Sequence, residues 1–158
     1  MKLVFKVILL LIWMSVIFYF SHQSGEQSSE TSLLVLKLFN FFHVDIDSSL
    51  GAFLHLMIRK LAHFSEYFIL SLLFYNIIRP YTKHKYLYSI IFTCFYAITD
   101  EIHQYYIPNR VASFLDVLID TCGASLAMFF LYLINKLKPK VTSPYQGEDC
   151  IQSQKVPS

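Results

Sequence analysis

Long apolar runs, separated by short polar breaks, constrain this chain more than any other feature of its sequence. The runs extend from Leu3 to Phe20, Leu50 to Ile78, Tyr86 to Gln104 and Ala112 to Ile134. A helix of about 20 mostly apolar residues crosses the hydrocarbon core of a bilayer. Charged residues make up 15% of the chain, whereas soluble domains carry roughly a quarter. The sequence therefore predicts an all-α integral membrane protein.

The four runs predict a bundle of four transmembrane helices. Leu33 to Phe42 is also apolar but too short to cross the bilayer, so we expect a short interfacial helix there. A signal peptide is the alternative interpretation of the first run, but Tyr19 to Gln23 follows it without a small-x-small cleavage site. We expect one transmembrane domain over residues 1–137. Residues 138–158 lack an apolar period and are expected to form a disordered cytoplasmic tail.

The distribution of basic residues predicts the orientation of the chain. Cytoplasmic loops of membrane proteins carry an excess of lysine and arginine. With four spans, three basic groups fall on the same side: Lys2 and Lys6; Arg79, Lys83 and Lys85; Lys136, Lys138 and Lys140. We therefore expect a multi-pass protein of the plasma (inner) membrane with both termini in the cytoplasm, Lys83 inside and Asn109 outside. Arg59 and Lys60 are the largest exception to the rule.

Polar residues cluster at the predicted outer ends of the second, third and fourth spans. Ionisable groups at the edge of lipid are costly, and in membrane proteins they mark functional sites by default. Helical spacing places the residues of each span on one face, because residues three or four apart are neighbours. On the fourth span that face continues into Gly123 and Ala127, small residues that let helices approach closely. We therefore expect the three groups to converge on one outward-facing pocket.

The residue types in this cluster limit its chemistry to acid–base work and binding. Imidazoles and carboxylates can exchange protons near neutral pH, and the candidate catalytic residues are His63, Glu66, Asp100, Glu101 and His103. The candidate binding residues are Lys60, Gln104, Arg110, Ser113, Asp116 and Asp120. Guanidinium and ammonium groups suit a phosphate or carboxylate ligand. Carboxylates and imidazoles could also hold a divalent metal, but no zinc-type spacing such as HExxH is present, so the signal for a metal is weak and no metal ligands are assigned. We expect Arg110 to pair with Asp116 or Asp100.

Each group also has a purely structural interpretation. His63 at a helix end can be an interfacial residue, and a pair between Arg110 and Asp116 can be a structural ion pair. Asp100 and Glu101 can solvate a helix end, and Gly123 can serve packing alone. The convergence of all of them from three helices favours a functional pocket.

At these residues the sequence resembles the VanZ-like family, which is named for a teicoplanin-resistance protein. The resemblance rests on Arg59 to Tyr67, Asp100 to Gln104, and Pro108 to Arg110 with Ser113 and Asp116; Phe20 to Ser24 is also similar. The family's last motif often has Asn where this chain has Asp120, which adds a negative charge to the predicted pocket. The resemblance covers roughly Met1 to Leu137. It implies a small polytopic bacterial membrane protein and, loosely, glycopeptide resistance.

Three functions fit these observations. The first is a pocket that binds or acts on an anionic cell-envelope component and so affects teicoplanin susceptibility. The second is a non-enzymatic structural or binding protein, and the third is a small proton- or cation-coupled carrier that uses the same carboxylates. The expected partners are membrane lipids or a lipid-linked cell-wall precursor, and no nucleic acid. The residues predict no particular cofactor or oligomeric state.

Overall fold

The described residues fold into a bundle of four helices whose directions alternate. The computed structural model describes residues 2–23, 48–108, 110 and 112–137. The predicted interfacial helix and the predicted tail lie outside these ranges. The four helices are α1 (Lys2–Ser21), α2 (Ser48–Ile78), α3 (Lys85–Gln104) and α4 (Phe114–Leu137). The described residues contain no strand, so the all-helical prediction is confirmed there.

Three of these helices are long and apolar enough to cross a membrane: α1, residues Leu56–Ile78 of α2, and α4. α3 falls short because one of its faces is polar. That face is buried and carries Ser89, Thr93, Asp100, Glu101 and Gln104. Apart from Thr99, its exposed residues are apolar or aromatic and include Leu87, Phe95 and Ile102. α3 thus buries its polar face among the other helices and presents its apolar face outward.

α2 is the central element of the bundle. It packs against α1, α3 and α4, and its longest contact is with α4. That contact depends on Gly123, because an added Cβ there would lie 2.5 Å from the backbone oxygen of Phe64. The prediction that Gly123 and Ala127 face into the bundle is confirmed, since both are buried. Beside this contact between α2 and α4, buried side chains form a core around Ile17, Tyr67 and Leu70.

α1 contacts the bundle along one side and is held there by polar anchors. The Nζ of Lys6 donates to the backbone oxygen of Asn76 at 2.9 Å, and the Nε1 of Trp13 donates to that of Glu66 at 3.0 Å. Most of its other apolar side chains are exposed, among them Phe5 and Leu11. α1 therefore runs antiparallel to α2 and ends beside the C-terminus of α3. We call this end, where α1 and α3 finish and α4 begins, the site end of the bundle.

Candidate functional site

Asp100 is the centre of a buried hydrogen-bond network at the site end. Its side chain is only 4% exposed, as α3 turns its polar face inward. The hydroxyl of Ser21 donates to Asp100 Oδ2 at 2.6 Å, and Nε2 of Gln104 donates to the same oxygen at 3.0 Å. Asp100 and Gln104 are one helical turn apart, so both reach the same point. The network thereby joins the last residue of α1 to the last turn of α3.

Arg110 extends this network and clamps the end of α1. Its Nη1 donates to Gln104 Oε1 at 2.8 Å, its Nη2 to the Phe20 carbonyl at 3.1 Å and its Nε to the Gln23 carbonyl at 2.9 Å. Carbonyl groups at a helix C-terminus attract cations because they have no partner within the helix. Burial lowers the pKa of the Arg110 guanidinium, and neighbouring Arg59 lowers it further. Arginine nevertheless keeps its charge in proteins.

The expected pairing of Arg110 with Asp116 or Asp100 is wrong. Asp116 forms its ion pair with Lys60 of α2. Arg110 reaches Asp100 only through Gln104, which bridges the two. The physical reason is that α1 ends close to the Arg110 side chain and supplies carbonyl acceptors, while α2 runs beside the first turn of α4 and brings Lys60 to Asp116.

The start of α4 is fixed by two side chains. Ser113 caps the helix, because its Oγ accepts a hydrogen bond from the Leu115 amide at 3.2 Å. The amide of Ser113 in turn donates to Glu101 Oε2 at 2.9 Å. Glu101 of α3 thus serves as an anchor for α4, and it is 7% exposed. Its position gives it a structural contact in addition to the acid–base role predicted for it.

A cavity of about 210 Å³ opens between α2, α4 and Arg110. We call it the basic pocket, and its lining is Leu56, Arg59, Lys60, His63, Arg110, Asp116, Ile119 and Asp120. Three of these side chains are cationic. The Lys60 charge is balanced by Asp116, whereas the hydrogen bonds of Arg110 within the described residues all go to uncharged groups. The pocket therefore offers positive charge to an incoming anion.

Four buried polar atoms at the site end have no hydrogen-bond partner within the part of the chain that the structure describes. They are His63 Nδ1, Tyr67 OH, Asp100 Oδ1 and Asp120 Oδ1. Buried polar groups in proteins are paired as a rule, and the exceptions call for an explanation. His63 Nδ1 lies 3.6 Å from Glu66 Oε2, which is beyond hydrogen-bond distance. These atoms come from α2, α3 and α4, so they mark the same junction as the basic pocket.

His103 belongs to a different cluster, on the α1 side of the site end. Its Nε2 lies 3.1 Å from Nδ1 of His22, and Phe18 packs against both rings. His103 is thus turned away from the basic pocket, although it is one residue from Gln104. The spacing of Asp100, His103 and Gln104 predicted one shared helical face. That face is wide, however, so His103 at its edge contacts the end of α1 instead of the basic pocket.

The structure brings most of the predicted site residues together at the site end. Those that line the basic pocket are Lys60, His63, Arg110, Asp116 and Asp120. Asp100 and Gln104 lie in the buried network, Glu101 and Ser113 at the start of α4, and Glu66 beside His63. Sequence reasoning did not select Arg59, Tyr67, Ser21 or His22 as site residues. A charged Arg59 inside an apolar run was a signal, as was the polar Ser21–His22 pair directly after the first span.

Within the described residues, no group of three histidine, cysteine or acidic side chains is placed to hold a metal ion. The carboxylates of the site end are separated instead by their individual partners: Ser21 and Gln104 for Asp100, Ser113 for Glu101, and Lys60 for Asp116.

The apolar exposed surface, the three helices able to cross a membrane and the buried polar junction define a small α-helical membrane protein. The model of the VanZ/LLP1 family matches residues 5–135, most of the chain. The chain therefore belongs to the VanZ-like family. Searches of curated proteins and of solved structures returned no match.

Proposed function

We propose that this VanZ-like protein binds the anionic head group of a cell-envelope lipid or lipid-linked precursor in the basic pocket. The observation that carries the proposal is the lining itself, which places Arg59, Lys60 and Arg110 around one cavity. Leu115 of α4 is exposed and one helical turn from Ile119 of the pocket lining, so it suits the acyl chains of such a ligand. Guanidinium groups bind phosphate with directional hydrogen bonds, so they favour a phosphate-bearing head group.

Binding fits the geometry better than acid–base catalysis does. An activated catalytic base is as a rule oriented by a further group within hydrogen-bond reach. His63 and Glu66 are 3.6 Å apart, and His103 is paired with His22 outside the basic pocket. Asp100 already accepts two hydrogen bonds that hold α1 and α3. Asp100, Glu101 and His103 are therefore occupied in contacts that position the site, whereas His63 has no orienting partner within hydrogen-bond distance.

Lipid titration of the purified full-length protein tests this proposal. Phosphatidic acid and diacylglycerol with identical short acyl chains would be compared by native mass spectrometry in a nonionic detergent. We expect phosphatidic acid to bind at least about tenfold more tightly, a difference of about 1.4 kcal/mol. Arg59→Gln should remove most of that difference. Arg79→Gln is the matched control, because Arg79 lies beyond the other end of α2. Equal affinity of the wild-type protein for the two lipids would contradict the proposal.

The proposal includes the orientation of the chain. All four helices cross the plasma membrane, both termini are cytoplasmic, and the basic pocket faces outward. The positive-inside distribution of lysine and arginine supports this arrangement. Accessibility labelling of single-cysteine variants in intact cells should modify a cysteine introduced at Tyr106 but not one introduced at Lys83. Labelling of the Lys83 position from outside would reverse the orientation and place the pocket on the cytoplasmic side.

The cellular effect that we propose is a change in teicoplanin susceptibility through the bound envelope component. Expression of the wild-type chain in a susceptible bacterium should raise the inhibitory concentration of teicoplanin, and Arg59→Gln at equal membrane abundance should not. An equal rise for both proteins would separate the cellular effect from the basic pocket.

A further inference from the structure

The basic pocket has an acidic floor in addition to its cationic lining. Asp120 lines the cavity, is only 1% exposed, and its Oδ1 has no hydrogen-bond partner within the described residues. A buried carboxylate is costly unless it is paired with a donor or a cation. A ligand that carries a cationic donor would stabilise Asp120 in its charged form.

Two of the three cations of the pocket have other partners. Lys60 pairs with Asp116, nearer the start of α4, and Arg110 directs three donors to Gln104 and to the end of α1. Asp120 follows Asp116 by one helical turn, so it lies deeper along the same face of α4. The lining thus has two parts of opposite charge: arginines that can hold an anion, and a buried carboxylate that can hold a donor.

We propose that the ligand is an aminated phosphate head group, with its phosphate held by Arg59 and Arg110 and its primary ammonium held by Asp120. This inference rests on the proposed function and specifies its ligand. A primary ammonium supplies both the positive charge and the N–H donors that Asp120 lacks. The cavity of about 210 Å³ is smaller than the roughly 300–1,000 Å³ of pockets for drug-sized ligands. It suits a phosphoethanolamine-sized group rather than a chain of sugars.

A hydroxylated head group is the nearest competitor. The hydroxyls of a phosphoglycerol group also donate hydrogen bonds, but they leave the carboxylate charge without a counter-charge. A trimethylated ammonium has the opposite defect, since it carries the charge but has no N–H donor. A primary ammonium satisfies both requirements, so it should be preferred over each of the others.

The test compares three lipids with the same short acyl chains on the wild-type full-length protein in nonionic detergent. The lipids are phosphatidylethanolamine, phosphatidylglycerol and phosphatidylcholine, and affinities are measured by isothermal titration calorimetry. We expect phosphatidylethanolamine to bind about tenfold to a hundredfold more tightly than either of the others, as a charge-assisted hydrogen bond implies. This comparison uses no variant, so folding defects cannot affect it.

Two results in the wild-type series would overturn the inference. Equal affinities for the three lipids, or a preference for phosphatidylglycerol, would show that no ammonium is recognised and would leave the proposed anion site intact. Failure of all three lipids and of phosphatidic acid to bind would overturn both proposals. The two failures are therefore distinguishable.

Variants then assign each part of the head group. Asp120→Asn should remove the preference for phosphatidylethanolamine over phosphatidylglycerol, while its affinity for phosphatidic acid stays equal or rises because a negative charge is lost. Arg59→Gln should weaken all the phosphate-bearing lipids together. Leu126→Ala, on the same helix, is the control for a general disturbance of α4. A folded Asp120→Asn protein that keeps the preference would overturn the assignment of the ammonium to Asp120.

Discussion

The polar groups at the two ends of the bundle differ in how fully they are hydrogen-bonded. At the end opposite the site end, Asn135 donates to the hydroxyls of Tyr75 and Tyr86, at 3.1 Å in each case, and the ammonium of Lys85 lies over both rings. The amide donor of that cluster is paired with its own hydroxyls, and Asn135 is exposed. The site end instead carries buried acceptors without partners in the described residues and an open cavity. Both ends contain polar residues, so it is the buried polar atoms without hydrogen-bond partners that distinguish the candidate binding site from the structural cluster.

The contact between α2 and α4 connects the two ends, and breaking it should have the largest effect. Gly123→Leu would place a side chain against the Phe64 carbonyl, 2.5 Å from the first added atom, so α2 and α4 must separate. We expect a loss of folded protein, since overpacking alone costs about 1–3 kcal/mol and a backbone atom cannot move aside as a side chain can. The measurement is the folded yield and the melting temperature in detergent.

Leu126→Ala is the control for this substitution, because Leu126 is on the same helix but exposed. It should leave the folded yield nearly unchanged. Comparable yields for the two variants would mean that the seam between α2 and α4 is misplaced.

Substitution of Arg110 disturbs only the site end and should have the next largest effect on stability. Arg110→Ala removes hydrogen bonds to Gln104, Phe20 and Gln23. We expect the free energy of unfolding to fall by about 2–3 kcal/mol, as the loss of bonds to a charged group implies. Hydrogen exchange should accelerate at the end of α1, with no change around Asn135. Unchanged exchange at residues 18–23 would show that the guanidinium does not hold α1.

Substitution of Asn135 disturbs the opposite end and should have the smallest effect on stability. Asn135→Ala removes its hydrogen bonds to Tyr75 and Tyr86, but these groups can find water, since Asn135 is exposed. We expect a loss of about 0.5–1.5 kcal/mol in the free energy of unfolding and no change in lipid affinity. A variant that folds normally but loses phosphatidic acid binding would erase the distinction between the two ends.

The fold could be predicted further from the sequence than the site could. Apolar length and the Arg79-Pro80 break were enough to place α2 and α3, because the cost of exposing polar backbone to lipid forces helices there. The polar face of α3 was also foreseeable, since Asp100 and Gln104 follow helical spacing. That face, however, keeps α3 from meeting the composition expected of a membrane span on its own.

The partners within the site could not be predicted, because they depend on how helices distant in sequence align. Lys60 and Asp116 are 56 residues apart, and Ser21 and Asp100 are 79 apart. Sequence proximity favoured a pair between Arg110 and Asp116, yet the carbonyl groups at the end of α1 compete for the guanidinium. The roles of Ser21 and Arg59 likewise follow from tertiary packing that no local pattern encodes.

The central claim is that motifs from different helices form one binding site, and a double-mutant cycle tests it most directly. His63 of α2 and Arg110 before α4 both line the basic pocket. Phosphatidic acid affinity would be measured for His63→Ala, Arg110→Lys and the double variant, each checked for folding. One shared site predicts that the double variant binds no more weakly than the weaker single variant, so the coupling energy equals the smaller of the two single effects, and we expect it to be at least about 0.5 kcal/mol. Effects that simply add would contradict the account, because the two residues would then act as independent anchors at separate helix ends.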